Sequence, residues 1–303
     1  MTESSAGEFK LIERLAALLP RPSARVEVGI GDDAAVLKSP RGRSLLCSDL
    51  MVEGVHFDLS FATAEDVGFK ALAAALSDIA AMNGRPLAAV VSLALPKSRA
   101  SDFIDGFYRG AREIAALTAC DVVGGDLSSS PDRIFVDVAC FGETLQPILR
   151  SGAAPGDLVA VSGHPGSSAA GLHALKSNVH VDDPLRSAHL RPKPRFDLLS
   201  APDFAVTCSS LIDVSDGLSS ELAHLAKASR VGFEIEAAKI PLHAATIRLA
   251  GETRALAWAL HGGEDYELLA TFAPGAKIPP GFTVIGRVTS DGLTLVQHDG
   301  SRI

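Results

Sequence analysis

Six short stretches of the chain carry carboxylates where a backbone turn can present them to a ligand. "VGIGDDAAVL" sets Asp32 and Asp33 straight after a Gly-x-Gly turn, with nothing basic before Lys38. "CSDLMVEGVHF" holds Ser48, Asp49 and His56, and "ALSDIAAMNG" holds Asp78 in an apolar run. "VVGGDLSSSP" puts Asp126 behind Gly124 and Gly125. "LIDVSDGLSSEL" carries Asp213, Ser215 and Asp216, and "HGGEDYELL" carries Glu264 and Asp265 behind two glycines. Most share one device, a glycine or serine turn beside a strand. Glycine lets the backbone approach a ligand closely, and open α/β sheets place ligands at their strand ends. Carboxylates and hydroxyls are hard oxygen donors that suit Mg²⁺.

Each stretch also has a plainer reading. Adjacent aspartates after glycine suit a solvated turn. Asp126 suits a turn after a strand, and Asp216 a helix N-cap. His56 can serve as a structural histidine. Asp78 is harder to place: its helical neighbours Ala74, Ala75, Ala81 and Met82 cannot pair with it. Lys70 lies roughly 12 Å back along the helix axis. A buried carboxylate there needs a partner from elsewhere in the fold, or a metal ion.

Absent motifs narrow the chemistry. "GSSAAGLH" has the glycine spacing of a phosphate loop without its Lys-Ser/Thr. "GIGDDA" fits the looser dinucleotide fingerprint, but its two carboxylates would face a pyrophosphate with no cation between and no helix follows. Neither a zincin His pair nor a nucleophile elbow occurs. Cys47, Cys120, Cys140 and Cys208 form no Cys-x-x-Cys pair and read as small buried thiols.

The elements that must position these residues follow from pattern. Apolar spacing from Phe9 to Leu19 predicts a helix ended by Pro20. Ser44 to Leu50 reads as a short buried strand. A capping box, Thr63 to Asp66, opens a long Ala-rich helix that closes at Asn83-Gly84. A buried strand ends at Pro96, a helix covers 101–119 and a strand 134–142. Pro147, Gly152, Pro155 and Gly156 then mark a break, giving domains at 1–148 and 149–303. Beyond it come a strand from Leu158 to Ser162, a helix after Gly166, a Pro-rich connection at 189–195 and a helix from Leu218. Strands at 232–236, 267–272, 283–288 and 293–298 complete a mixed α/β chain.

The bulk numbers agree. The chain has 303 residues, enough for about two domains. A net charge of −8 argues against a nucleic-acid partner and leaves anionic ligands needing local cations. No apolar run reaches the roughly 18–20 residues of a membrane span. The polar, acidic "MTESSAGEFK" is no signal peptide, so a cytoplasmic protein is expected.

Taken in order, the blocks "GEFKLIERL", "VGIGDDAAVL", "SDLMVEGVHF", "FKALAAALSDIAAMNGRP", "GGDLSSSP", "RSGAAPGDLVAVSG", "HLRPKPR", "IDVSDGLSSELAHL" and "GGEDYELL" make the sequence resemble the thiamine-monophosphate kinases of the aminoimidazole ribonucleotide synthetase superfamily. The resemblance implies a two-domain fold whose N-terminal domain binds ATP and magnesium and dimerises, strands of both subunits forming a barrel. The C-terminal domain would complete the active site. It implies transfer of the ATP γ-phosphoryl group to thiamine monophosphate. Carried over by position, Asp33, Ser48, Asp49, Asp78, Asp126, Asp213 and Asp216 resemble magnesium ligands. Gly125, Asp126, Arg150 and Ser215 resemble ATP contacts, and His56 and Glu264 substrate contacts. Asp126, Asp213 and Arg150 would be the catalytic set, although Arg150 also suits a solvated position before a Gly-rich linker.

Two departures stand out. The family carries two hydroxyl residues before the aspartate where this chain has Cys47-Ser48-Asp49. It also carries a C-terminal aromatic tail, where this sequence reads "VQHDGSRI". Rival readings are another ATP-dependent enzyme of the superfamily, such as a ring-closing or selenophosphate synthetase, or a non-catalytic nucleotide- or metal-binding module.

Such a kinase needs no general base, because a phosphate monoester with a second pKa of about 6 is already a dianion at neutral pH. The barrier is repulsion: each like-charge pair at about 4 Å costs on the order of 4 kcal/mol at an effective dielectric of 20. Magnesium ions bridging the phosphates, with a guanidinium clamp from Arg150, would remove it.

Overall fold

A computed structural model of the chain describes Arg14, 17–19, 21–30, 34–180, 183–201 and 203–303. The helix expected from Phe9 to Leu19 falls mostly outside the described residues, and Asp32 and Asp33 fall wholly outside them. The chain divides into two compact units, Met1–Ile79 with Arg85–Leu145, and Ala80–Gly84 with Gln146–Ile303. Among the described residues no helix is long and apolar enough to cross a membrane.

The first unit begins with a small antiparallel ribbon, β1 (Val26–Val28) and β2 (Val36–Leu37). Its main sheet is built from β3 (Arg43–Val52), β4 (Arg85–Leu95), β5 (Asp121–Ser129) and β6 (Phe135–Thr144), with helices α1 (Ala64–Ala81) and α2 (Ala100–Thr118) between them. The strand order is β3-β6-β4-β5, with β4 and β5 parallel and the other pairs antiparallel. The sheet is open, with β3 and β5 at its edges. The capping box forms as read: the Asp66 amide donates to Thr63 Oγ1, and the Thr63 amide donates to Asp66 Oδ2, each at 3.1 Å. Phe69, Leu72, Leu76 and Ile79 of α1 and Ile104, Phe107 and Ile114 of α2 are fully buried with Val136, Val138 and Cys140 of β6. Each such side chain contributes about 1.5–3 kcal/mol through burial.

Strand β3 corrects one expectation. It is not a buried strand but an edge strand whose residues alternate in exposure. Leu46 is 78% and Leu50 55% exposed, while Cys47 on the opposite face turns its thiol to the Ala75 carbonyl of α1 at 3.2 Å. An apolar run reads the same whether one face or both are covered.

The second unit holds a six-stranded sheet of β7 (Leu158–Ser162), β8 (Cys208–Val214), β9 (Gly232–Glu236), β10 (Glu267–Phe272), β11 (Phe282–Thr289) and β12 (Leu293–Val296). Its order is β12-β9-β11-β7-β10-β8, and only β12–β9 is parallel. Helices α3 (Ser167–Lys176), α4 (Asp183–Leu190), α5 (Phe196–Leu199), α6 (Phe204–Thr207), α7 (Leu218–Ser229), α8 (Ala244–Ala250) and α9 (Glu252–His261) lie between the strands in sequence. Alternation along the strands feeds two cores. Ile212, Val214 and Leu269 pack with Leu218 and Leu222 of α7. Leu211, Leu268 and Phe272 pack with Leu198 and Phe204 of α5 and α6.

Candidate active site

In the first unit one polar row crosses the open face of the sheet, and the other candidate residues lie apart from it. Ser92 of β4 stands opposite Asp126 of β5 on one side and Asp137 of β6 on the other. Partners in register share a face, so Asp126, Ser92 and Asp137 form a polar row across three strands. Ser48 of β3 joins it, its Oγ donating to Asp137 Oδ1 at 2.7 Å. Asp126 is exposed. It lies within β5 and not in a turn after a strand, which corrects the sequence reading. The reason is Gly125, at φ +156°: a Cβ there would stand 1.8 Å from the Val91 carbonyl oxygen. Gly125 lets β5 run on beside β4 instead of ending it.

Asp49 faces the other side of β3, half-buried with Cys47. Burial, with the charge of Asp137 behind it, pushes its carboxyl above the ordinary carboxylate range. His56 lies in the turn after β3. Its Nδ1 accepts from the Val52 amide at 3.0 Å, so the ring proton is on Nε2. Buried Lys70 donates to the His56 carbonyl at 3.3 Å. Asp78 is half-buried in α1.

In the second unit the site residues gather at one end of the sheet, where β8 ends and β10 begins. Buried Asp213 pairs in register with Leu268, and Val214 with Glu267. The turn Ser215-Asp216 leads into α7, whose N-cap is Gly217 and not Asp216. Buried Glu221 accepts from the Asp216 amide at 3.0 Å and the Ser215 hydroxyl at 3.4 Å. Asp216 is thus left exposed with its carboxylate outside the cap.

The corner from Gly262 to Tyr266 packs against that turn. The Glu264 amide donates to the Ser215 carbonyl at 2.7 Å, and the Tyr266 amide to the Val214 carbonyl at 2.9 Å. A Cβ on Gly263 would lie 2.5 Å from the Ser215 carbonyl oxygen, so only glycine allows this approach. Glu264 and Tyr266 sit at φ +65° and +51°, left-handed conformations that cost of order 1–3 kcal/mol each and persist where the surroundings fix them. Asp265 between them is buried and accepts from the Gly166 and Ser168 amides at the start of α3, at 2.7 and 2.9 Å. Burial pushes its carboxyl up to about 7, against those two bonds and with Glu267 and Glu264 adding to the rise.

Arg150 is exposed, its carbonyl accepting from Ser229 Oγ at 3.1 Å. Glu267 is held by Ser162 Oγ and by Arg195 Nη1, the latter at 2.6 Å. Arg195 also grips Asp197 with two bonds of 3.0 Å.

Family models match most of the chain: AIR synthase related protein, N-terminal domain, over residues 31–144, and its C-terminal domain over 154–298. Thiamine-monophosphate kinase of Bacillus subtilis is 42% identical over 281 residues, covering 87% of this chain and 83% of the relative. The chain belongs to the thiamine-monophosphate kinase family. Among solved structures, the thiamine-monophosphate kinase from Stenotrophomonas maltophilia K279a has a TM-score of 0.83 at 32% identity, covering 96% of each chain. AaThiL complexed with AMPPCP and TMP has a TM-score of 0.79 at 34% identity, covering all of this chain and 96% of that one. The two-domain mixed α/β fold expected from the resemblance is therefore borne out.

Sequence reasoning did not name Asp137, Glu221, Glu267, Arg195 or His189, whose side chains lie against candidate residues or against one another: Asp137 meets Ser48, Glu221 meets Asp216, Arg195 meets Glu267, and His189 Nδ1 lies 3.6 Å from Glu264 Oε2. Asp137 had a readable signal, as a polar residue at every-other spacing in "IFVDVACFG". The other four lie within the blocks "IDVSDGLSSELAHL", "GGEDYELL" and "HLRPKPR", but inside helices, a strand start or a Pro-rich connection, where no spacing singles them out. Among the described residues no three His, Cys, Asp or Glu side chains stand together as one metal site.

Proposed function

We propose that the protein transfers the γ-phosphoryl group of ATP directly to the phosphate of thiamine monophosphate, giving thiamine diphosphate and ADP. One observation carries the reading: a relative 34% identical over the whole chain is complexed with AMPPCP and TMP, a nucleotide and an acceptor together.

In this reading Gly125, Asp126, Arg150 and Ser215 contact ATP, and His56 and Glu264 contact thiamine monophosphate. Asp33, Ser48, Asp49, Asp78, Asp126, Asp213 and Asp216 are the ligands of Mg²⁺. The donor set fits that ion, being carboxylates and a serine hydroxyl. Pairs of carboxylates suffice, since Mg²⁺ is commonly held by one or two carboxylates with substrate phosphates and waters filling the rest. When bound, Mg²⁺ supplies charge neutralisation on the phosphates. Asp126, Asp213 and Arg150 do the work closest to the transfer. The two aspartates fix charge where it is needed, and Arg150 holds a phosphate oxygen as a fork of donors. The acceptor dianion needs no proton removed, so the reading assigns no residue as a general base.

The Cys47 departure fits this reading too. Cys47 and Ser48 point to opposite faces of β3, so the thiol lies away from the Ser48–Asp137 row. The active unit in this proposal is a cytoplasmic homodimer joined through the N-terminal domain (1–148), supported by the exposed Leu46 and Leu50 on edge strand β3. Strands of both copies would close a barrel, and domain 149–303 would complete the active site.

The test is purified protein with ATP, Mg²⁺ and thiamine monophosphate, followed by chromatography. Thiamine diphosphate and ADP in equal amounts are expected. ADP with no thiamine diphosphate would overturn the proposal.

A further inference from the structure

Glu264 is fixed through its backbone by the Ser215 carbonyl and by its left-handed φ. Its side chain leaves the corner partly exposed and places Oε2 3.6 Å from Nδ1 of His189, in the last turn of α4. His189 is 2% exposed. The same Nδ1 lies 3.1 Å from Ser168 Oγ, and the Ser168 amide donates to Asp265 Oδ1 at 2.9 Å. His189, Ser168, Asp265 and Glu264 thus form a closed circuit from α4 through the start of α3 to the corner and back. A carboxylate on a rotatable side chain gains direction when a packed neighbour faces one of its oxygens, and that direction lowers the ordering lost on binding a ligand.

We infer that His189 is a positioning residue for thiamine monophosphate, acting through Glu264. The Nδ1 edge of the buried ring, seated on the Ser168 hydroxyl, sets the rotamer in which the Glu264 carboxylate meets the substrate. The inference rests on the proposed role of Glu264 as a substrate contact and deepens it.

The test compares His189→Asn, whose amide group occupies the place of Nδ1, with His189→Gln and His189→Leu, which leave that place without a polar atom. Steady-state KM for thiamine monophosphate and for ATP, kcat and Tm are measured for each. His189→Leu and His189→Gln are expected to raise the thiamine monophosphate KM tenfold or more, with kcat and the ATP KM within threefold of wild type. His189→Asn is expected to stay within threefold throughout. His189→Gln carries the comparison if His189→Leu does not fold. A thiamine monophosphate KM unchanged in Gln and Leu overturns the inference, as does a rise in both KM values that tracks Tm with Asn equally impaired. Calorimetric titration of thiamine monophosphate into the same proteins separates the two claims. Binding by wild type that weakens tenfold in Gln but not in Asn, without turnover, upholds the positioning role and overturns the kinase reading. No binding by wild type overturns both.

Discussion

Gly125→Ala is expected to damage the protein far beyond the loss of a hydrogen's worth of space. The added Cβ would stand 1.8 Å from the Val91 carbonyl oxygen, 2.7 Å from its carbon and 3.0 Å from the Val91 nitrogen. All three are main-chain atoms of β4, so no side-chain rotation can relieve them, and β5 must move away by more than an ångström. Overpacking of this kind costs about 1–3 kcal/mol. Holding a non-glycine residue at φ +156° adds about 1–3 kcal/mol. The sum, about 2–6 kcal/mol, is a large part of the roughly 5–15 kcal/mol that holds a typical domain together. At about 2–4 °C per kcal/mol, the melting temperature should fall by roughly 5–20 °C. The ladder that fails carries Asp126 opposite Ser92, so turnover should fall with it. Circular dichroism melts and a coupled ADP assay on wild type and variant measure both. A melting temperature within 2 °C of wild type and activity within twofold would refute the claim that glycine is required for the strand to pass through this position.

Asp126→Asn and Asp213→Asn should each lower kcat by more than tenfold with little change in melting temperature. Tenfold corresponds to about 1.4 kcal/mol of transition-state stabilisation, and steady-state kinetics reads it. Arg195→Met leaves Glu267 without its guanidinium partner and should destabilise by about 1.5–3 kcal/mol, measured by urea unfolding. The Asp265 carboxyl should titrate near 7 by carbon-13 NMR. Because its folded pKa lies above the unfolded 3.8, the folded state holds the proton more tightly. Its contribution to stability is therefore full below pH 4 and is lost as pH rises through about 7.

The elements were legible where one rule governed them. Strands 158–162, 232–236 and 267–272 appear at the residues read from pattern, because short apolar runs between glycines and polar turns have few alternatives. The Thr63–Asp66 capping box placed the start of α1 for the same reason. The sequence was less informative where two rules competed. Gly124-Gly125 reads as a break, yet here the missing Cβ is what allows the strand to continue. Leu46 and Leu50 read as core, but an apolar strand does not say which face is covered. Helix α4 escaped notice because its short pattern runs into the prolines of "HLRPKPR", and His189 went with it. Helices α8 and α9 were also unread, two short segments separated by Gly251. Single aspartates in turns could be named as candidates from sequence. Their partners, such as Asp137 beside Ser48 or Glu221 beneath Asp216, depend on register and on long-range contacts that one-dimensional spacing does not encode.

Direct transfer between two phosphates is the claim on which the rest depends. ATP labelled with phosphorus-32 at the γ position, incubated with the protein, Mg²⁺ and thiamine monophosphate, tests it without inference from structure. The account predicts the label in the terminal phosphate of thiamine diphosphate, one for each ADP formed. Label released only as inorganic phosphate, with thiamine monophosphate unchanged, would contradict it.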